Sequence, residues 1–403
     1  MFPLSFFLAC KGYKPVANQN LSHLYNRNFP LRVQFRVLES GPDLQVFIQV
    51  NFRKLDGMQN HLAVWEKYHL VYRVTSGYES NYKQLGDTIH PSERLAPSIN
   101  PLVLVVKIPK SEKDRLFELH IKERFSQEDY VFDLPIRQNS ESGNYKTCLF
   151  AGRGRIPVFE NFIQVGDTVV VRSLNYQSTD SSFEFHPFNT SIALPPMAAI
   201  PTSGHDFTES FQVNVPLNEP AVFKQAGYYF MEVKGMKNQG FGFMVTPRFY
   251  PIVSTPAELI DPMVYISTRE ERKNLIEATN QKLALDQFWL KINVQKDQSR
   301  KLIRSYFENV EEANFLFASH KAGWKTDRGM VYAIYGQPPL VYKNWDSEMW
   351  QYDKSVVGEN TVFYFTRHPV EKNPNIWELK RYNEYDRVWY GVVELWRKGV
   401  INR

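Results

Sequence analysis

Between residues 31 and 136, hydrophobic and polar positions follow the short repeat of β-strands. The strand-like segments are 31–37, 44–50, 69–74, 101–108 and 115–121. The first alternates residue by residue, the second is mostly apolar, and clusters of Gly, Pro, Asn and Ser separate the segments. A period of two is typical of strands with one buried face. The pattern therefore predicts an all-β sandwich over 31–136.

A second strand-rich block covers 145–250, after the polar stretch 137–144. Gly166 and Asp167 form a turn signal between two apolar segments, and 211–215 alternates. The spacing Gly227-x-Tyr229 before a strand resembles the tyrosine corner of immunoglobulin-like domains, in which the phenol bonds back to the chain. We therefore predict two immunoglobulin-like β-sandwiches in tandem.

The hydrophobic period changes after the proline-rich stretch 247–262. Thr268 and Glu271 have the spacing of a capping box, and helical periodicity continues to about Lys291. A second helical pattern covers 297–319. Strand patterns follow at 349–352 and 361–365, and a last helical pattern at 386–397. These features predict an α+β domain over 256–403, with two long helices and a small antiparallel sheet.

Composition narrows the class of protein. The 403 residues include 48 Lys and Arg against 43 Asp and Glu, a formal charge of +5. Nucleic-acid binding needs a concentrated basic face, so nearly balanced charge argues against a nucleic-acid partner. There is no run of 18 apolar residues to form a membrane-spanning helix. Two cysteines are too few for a disulfide scaffold.

The first ten residues indicate the cellular compartment in which the protein is located. Phe7-Leu8-Ala9-Cys10 ends a short apolar run and resembles the lipobox of bacterial lipoproteins, in which the cysteine is acylated and the preceding peptide removed. The resemblance implies a signal peptide over 1–9, lipidation of Cys10 and a linker over 10–30. Surface-exported lipoproteins of the Bacteroidota carry acidic residues after the cysteine, and Lys11 stands there instead. This implies the periplasmic side of the outer membrane. The alternative is a buried N-terminal strand with an ordinary apolar cysteine.

The motif with the most specific pattern begins at residue 323. The sequence Gly323-Trp324-Lys325-Thr326-Asp327 and its continuation to Pro338 resemble the signature of the GWxTD domain, found chiefly in envelope proteins of Bacteroidota. No activity is established for that family, so the resemblance implies none for this chain. The residue types of the motif predict a short helix. Thr326 would be its N-cap, Asp327 would lie at the positive end of the helix dipole, and Gly336 would end the helix.

The C-terminal part has a weaker resemblance to a second group. A short helix, Tyr335-Gly336-x-Pro338, Trp350-x-Tyr352 and an aromatic strand occur in the same order in small lipoproteins of the β-barrel assembly machinery. Those proteins pack two helices on a three-stranded antiparallel sheet. The long helices and the C-terminal extension depart from that pattern.

Candidate catalytic residues are few. Gly204-His205-Asp206 could contribute to a metal site or an acid/base pair but is more typical of a solvated turn. Asp327-Arg328 could be an acid with a paired base but is better explained as a helix cap with a surface ion pair. The histidines show no metal-ligand spacing, and no nucleophile motif is present. We therefore predict no enzyme activity, no metal and no cofactor, and consider Cys148 a buried free thiol.

Aromatic residues are concentrated near the C-terminus, since six of the eight tryptophans follow residue 323. Because Trp, Tyr and Arg are enriched at interface hot spots, this abundance favours a partner-binding surface. The candidate residues are Trp324, Thr326, Asp327, Arg328, Tyr335, Trp345 and Trp350. For Trp324 a core position is the alternative.

These observations predict a non-enzymatic outer-membrane lipoprotein whose β modules act as spacers and whose C-terminal domain joins an envelope complex. Outer-membrane protein or surface-lipoprotein assembly and secretion or gliding machinery are the candidate complexes. The alternative is a protein that binds or processes carbohydrate or peptidoglycan, with aromatic stacking and an acid such as Asp327 or Asp346. Paired carboxylates in a cleft would favour processing.

Overall fold

A computed structural model describes most of the chain. The described residues are 14–53, 61–98, 100–137, 145–173, 180–188, 191–199, 210–232, 240–292, 296–353, 359–367 and 376–399. Cys10 and the segment Gly204-His205-Asp206 lie outside these residues. Several β-sheets form the N-terminal part, and a region of mixed helices and strands follows.

The first seven strands form two antiparallel sheets around one core. They are β1 (Leu31–Ser40), β2 (Asp43–Phe52), β3 (Tyr68–Thr75), β4 (Lys83–Thr88), β5 (Leu102–Pro109), β6 (Arg115–Glu123) and β7 (Asp129–Ile136). The strand orders are β1-β2-β5 and β4-β3-β6-β7, and the short helix α1 (His61–Lys67) precedes β3. Val46 on β2 and Leu119 on β6 are fully buried in the same apolar cluster. The strands predicted between 31 and 136 are confirmed.

The described residues of the second β unit form nine strands. They are β8 (Thr147–Ala151), β9 (Ile156–Pro157), β10 (Phe162–Gln164), β11 (Thr168–Ser173), β12 (Asp180–His186), β13 (Phe211–Pro216), β14 (Pro220–Val222), β15 (Gly227–Glu232) and β16 (Gly240–Thr246). Their orders are β14-β11-β8-β9 and β10-β16-β15-β12-β13, and β10 pairs with β16 in parallel. Gly166 takes a φ of 91° in the turn predicted there. The Tyr229 hydroxyl donates to the Gln225 carbonyl at 3.1 Å, which is the bond expected of a tyrosine corner.

The C-terminal region contains six described helices. They are α2 (Pro256–Ile260), α3 (Arg269–Glu277), α4 (Gln281–Ile292), α5 (Lys296–Phe317), α6 (Asp327–Tyr335) and α7 (Tyr385–Lys398). The capping box of Thr268 and Glu271 is confirmed at the start of α3. The prediction of one long helix there was wrong, because Ala278 is extended and the Asn280 side chain accepts the N–H of Leu283 and so begins α4. None of the helices in the described ranges has both the length and the apolar character needed to cross a membrane.

A four-stranded antiparallel sheet packs against these helices. Its strands, in order, are β17 (Leu340–Lys343), β18 (Ser347–Tyr352), β19 (Thr361–Arg367) and β20 (Trp377–Leu379). Trp350 on β18 is fully buried, with its ring centre 4.8 Å from that of Phe365. Trp396 on α7 donates its indole N–H to the carbonyl of Ile334 on α6 at 2.9 Å. The predicted small antiparallel sheet is confirmed.

Residues 14–30, predicted as a linker, pack against the C-terminal region. Val16 and Leu21 are fully buried in the same cluster as the C-terminal tryptophans. The N–H of Leu21 donates to the Val341 carbonyl at 2.8 Å, and the Tyr332 hydroxyl donates to the Tyr25 carbonyl at 2.8 Å. The first described segment is thus part of the C-terminal core rather than an extended connection.

The two β units and the C-terminal region are in direct contact with one another. Arg36 of the first unit donates to the carbonyl of Val158 in the second at 2.9 Å. Asn161 of the second unit donates to the carbonyl of Ala318, at the end of α5, at 3.3 Å. Arg137, after β7, donates to the Trp345 carbonyl at 2.8 Å. These contacts join the two β units and the C-terminal region directly, and the role of the β units as spacers stays a prediction.

Candidate functional site

The signature segment begins where two backbones come unusually close. Gly323 starts a single 3-10 turn, Gly323–Lys325, after α5. A Cβ on Gly323 would lie 2.0 Å from the Ala313 carbonyl oxygen, and one on Gly329 would lie 1.8 Å from the Gly323 carbonyl oxygen. No other residue fits these contacts without moving the backbone, so both glycines are required by packing.

Trp324 is a core residue. Its side chain is only 4% exposed, and its ring meets Tyr265 edge to face with 6.0 Å between ring centres. Its backbone N–H donates to the Asn314 side chain at 3.3 Å, and Asn314 in turn donates to the Pro251 carbonyl at 3.1 Å. Of the two interpretations of Trp324, the core position therefore fits and the exposed contact does not.

Thr326 caps helix α6 as predicted. Its hydroxyl accepts the N–H of Gly329 at 3.1 Å and donates to the Gly323 carbonyl at 2.7 Å. Gly336 ends the helix with a φ of 67°. One hydroxyl thus joins the 3-10 turn to the helix and satisfies one of the free N–H groups of the first turn.

Asp327 forms a largely, but not fully, buried ion pair that the sequence did not reveal. Its two carboxylate oxygens accept from the Arg381 guanidinium at 2.6 and 2.9 Å, and both side chains are 11% exposed. Asp327 also accepts the backbone N–H of Leu379 at 2.7 Å, and Arg381 donates to the Leu194 carbonyl at 3.1 Å. The carboxylate therefore connects α6 to β20, and through Arg381 to a segment that follows β12.

Arg328 pairs with Glu348 on β18 rather than with its neighbour Asp327. The nitrogen–oxygen distance is 3.2 Å, and the Glu348 side chain is fully buried. Glu348 also accepts the indole N–H of Trp350 at 2.7 Å. The Arg328 guanidinium lies 5.0 Å from the ring centre of Phe317 and 4.8 Å from that of Trp377. Ion pairing and cation–π contacts thus hold it in one position.

A third charged pair joins the first β unit to the C-terminal sheet. The ammonium of Lys343 lies 2.6 Å from the fully buried carboxylate of Asp133, and the Tyr78 hydroxyl donates to the same oxygen at 2.6 Å. Burial favours a higher pKa for Asp133, but Lys343 and Tyr78 together hold that pKa below its ordinary value. The carboxylate is therefore charged at neutral pH, and it fixes the contact between the two units.

The candidate surface residues do not form one exposed surface. Trp324, Tyr335 and Trp350 are buried, so these three side chains are not exposed for contact with a partner in this structure, and partner binding by the candidate residues stays a prediction. Trp345 is half-buried, with its ring edge-on to Tyr78 and the Arg137 guanidinium 5.1 Å from its centre. The aromatic residues are abundant because they fill a core in which several secondary-structure elements meet.

The candidate acids are held in ion pairs with different arginines. Asp327 is paired with Arg381, and Asp346 lies 2.6 Å from Arg137. Within the described ranges, no three His, Cys, Asp or Glu side chains gather as they would around a metal ion. The absence of catalysis, metal and cofactor stays a prediction.

Sequence reasoning missed Arg381, Glu348, Asp133 and Lys343. A weak indication was present for Glu348, which shares the inward face of β18 with Trp350 and Tyr352. A charge at such a position is almost never fully buried unless it is paired. The partner itself is distant in sequence, so no local pattern identifies it.

Comparison with known proteins gives one result for the C-terminal half. No curated protein matched the chain. A family model described as the GWxTD domain matches 227–398, from the start of β15 to the end of α7. The match therefore includes the last two strands of the second β unit together with the signature segment and the C-terminal sheet. Residues 227–398 are thus a GWxTD domain.

Proposed function

We propose that the protein is a non-enzymatic scaffold or accessory subunit of an envelope complex. The observation that supports this proposal is that the polar side chains of the signature bond to other groups of the same chain. Thr326, Asp327 and Arg328 are each bonded within the chain, to a helix N-terminus, to Arg381 and to Glu348. A reactive group would need an open face toward a substrate. The signature thus stabilises the C-terminal domain, and partners would bind to the outer surface of that domain.

The proposal includes a lipid anchor on Cys10 at the periplasmic side of the outer membrane, which the lipobox-like sequence supports. Replacing Cys10 by alanine is expected to move the protein from the membrane fraction to the soluble fraction and to leave the signal peptide uncleaved. Cys148→Ala is the matched control, because Cys148 is a buried free thiol whose pKa is raised to about 11 by burial. Salt-washed membranes that retain Cys10→Ala would contradict the anchor, provided that the purified variant binds no membrane protein.

For the partner surface we propose an exposed tyrosine pair at the edge of the C-terminal domain. Tyr364 on β19 is 42% exposed and Tyr382 is 47% exposed. The Lys380 N–H donates to the Tyr364 carbonyl at 2.8 Å, two residues before Tyr382, and the rings of Tyr382 and Tyr385 are 5.7 Å apart. Exposed tyrosine combines a large apolar surface with a hydroxyl that can bond to a partner, as is common at protein interfaces. We name this the tyrosine patch, Tyr364 and Tyr382.

The double substitution Tyr364→Ser with Tyr382→Ser is expected to abolish cross-linking to envelope proteins and to leave the melting temperature nearly unchanged. Membranes carrying the wild type, the double variant and Tyr82→Ser would be compared by quantitative mass spectrometry. Tyr82, 72% exposed in the first β unit, is the control. Equal recovery of every cross-linked protein by wild type and double variant would refute the patch.

Three finer assignments belong to the proposal. The first assignment is that both β units are immunoglobulin-like. The strand order β1-β2-β5 of the first unit corresponds to β8-β11-β14 of the second, which is part of the order β14-β11-β8-β9. The tyrosine-corner bond of Tyr229 also supports this assignment. The source is a member of the Bacteroidota, and its partner complex is assembly, secretion or gliding machinery, as the resemblances of the sequence imply. Glycan stacking is less well supported, because Trp324, Trp350, Trp389 and Trp396 are buried.

A further inference from the structure

A buried histidine lies between two carboxylates in the first β unit. His120 on β6 is 3% exposed. Its Nε2 atom lies 3.2 Å from a carboxylate oxygen of Glu118, and its Nδ1 atom lies 3.2 Å from both carboxylate oxygens of Asp129. An ionised carboxylate can only accept hydrogen bonds, and a neutral imidazole has a single N–H. Only the protonated ring of His120 can therefore donate to both carboxylates.

His120 projects toward the C-terminal region and not into the core of its own β unit. Residues directly opposite each other on antiparallel strands project to the same face, and His120 is opposite Val131 on β7. Val131 is buried in the apolar cluster that contains Val16 and the C-terminal tryptophans. Leu119, the neighbour of His120 on β6, points the other way and is buried in the core of the first unit. The histidine thus lies beside the contact between the first β unit and the C-terminal region.

Hydrogen bonds connect the histidine to this contact. The Glu118 carboxylate lies 3.1 Å from the Thr75 hydroxyl, which lies 3.2 Å from the carbonyl of Gly77, in the loop after β3. The next residue in the loop, Tyr78, accepts the N–H of Ala17 on its carbonyl at 2.9 Å. Ala17 packs against the cluster that contains the C-terminal tryptophans. The position of Glu118 therefore affects how the loop after β3 holds the first described segment of the chain.

The surroundings of His120 favour its charged form. Burial alone would lower the pKa of His120, but the hydrogen bonds to Asp129 and Glu118 raise it above its ordinary value of 6.5, against the opposing effect of Arg73. Asp129 is 37% exposed, so the cluster is open to solvent on that side. The other titratable or charged groups on this face or packed against it are His69 and Arg73 on β3, Lys122 on β6, Asp133 on β7, Lys343 on β17 and His23. His120 is therefore charged below its raised pKa and neutral above it.

We propose that His120 is a pH-sensitive switch for the contact between the first β unit and the C-terminal region, which is tight while the imidazole is protonated and loosens when it is neutral. Loss of the proton turns a ring lone pair toward a carboxylate oxygen, and two acceptors that face each other in a buried site repel. Histidine is the side chain whose charge ordinarily changes between about pH 5 and 8. The switch is separate from the scaffold role and from the tyrosine patch, because it acts on a contact inside the molecule.

The direction of the pH dependence follows from the raised pKa. His120 binds its proton more tightly in the folded protein than in the unfolded chain. Its stabilising effect is therefore complete below about pH 6.5 and is lost as the pH rises through the folded-state pKa. Each unit of difference between the two pKa values changes the folding equilibrium constant about tenfold. The contact is thus expected to be tightest in mildly acidic solution.

Two measurements on the full chain test the switch. NMR of protein with 13C-labelled histidine rings gives the pKa of His120, and His120→Gln identifies its resonance. Chemical denaturation at about pH 6 and about pH 9 gives the folding equilibrium constant of the wild type relative to that of His120→Gln. This ratio is expected to fall by about tenfold for each unit by which the pKa of His120 exceeds 6.5. A pKa at or below 6.5, or an unchanged ratio, overturns the proposal.

Hydrogen exchange followed by mass spectrometry locates the effect in the chain. After correction for the intrinsic exchange rate, peptides from 14–25 and 75–80 are expected to exchange roughly tenfold faster at about pH 9 than at about pH 6 in the wild type. The ratio of the two rates is expected to be near one in His120→Gln. His90→Gln is the control and should keep the wild-type ratio, because His90 is exposed. Equal protection of both peptides at the two pH values in the wild type overturns the proposal.

A second variant decides if His120→Gln does not fold. Asp129→Asn removes one of the two charges next to the imidazole, and the Asp129 side chain is 37% exposed, so the fold should tolerate the change. This variant is expected to lower the pKa of His120 and to reduce the exchange ratio of both peptides. A wild-type pKa and ratio in folded Asp129→Asn would count against the switch.

Discussion

Replacing Asp327 by asparagine is expected to lower the free energy of unfolding by about 3–5 kcal/mol, because it leaves the Arg381 guanidinium buried without its counter-charge. The pair is only 11% exposed on both sides. For a protein of this size, that loss of stability should lower the melting temperature by roughly 10 °C. Thermal melts of the full chain, followed by circular dichroism, measure the effect.

Two further variants separate the ion pair from a general sensitivity to substitution. Asp286→Asn is the control, because Asp286 is exposed on α4. The double variant Asp327→Leu with Arg381→Met should recover part of the lost stability, since no charge is then left buried. An unchanged melting temperature for Asp327→Asn, together with loss of a measurable turnover, would indicate a catalytic carboxylate instead.

Truncating Trp324 to alanine is expected to cost about 3–5 kcal/mol of folding free energy, the usual loss for a large aromatic side chain in a core. The ring is 4% exposed and packs on Tyr265, so its removal opens a cavity between the signature turn and the residues before α3. Chemical denaturation of the full chain, with the midpoint and slope both fitted, gives the change in free energy.

Tyr390→Ala is the matched control for Trp324→Ala, because it removes an aromatic ring that is 54% exposed on α7. Its denaturation midpoint should stay close to that of the wild type, as is usual for surface substitutions. If the Trp324→Ala protein has wild-type stability but no longer captures a partner, Trp324 is an interface residue and not a core residue.

Several local features of the fold could be predicted from the sequence because their causes are local. The alternating segment 31–37 and the mostly apolar segment 44–50 lie in β1 and β2, and the capping box of Thr268 and Glu271 begins α3. Thr326 and Gly336 begin and end α6 as expected. Each of these depends on residues within a few positions of one another. The break before α4 was missed because helical periodicity continues across it, and the capping side chain of Asn280 decided the outcome.

The sequence by itself determined many of the strands, the start of α3, both ends of α6 and the identity of the signature segment. Only the tertiary structure decided what the signature's side chains do. Asp327 and Arg381 are 54 positions apart, and Asp133 meets Lys343 across 210 positions, so their pairing depends on how whole units pack. The same holds for the tryptophans. An aromatic-rich sequence is compatible with a binding surface or a large core, and the difference is set by whether neighbouring elements cover the rings.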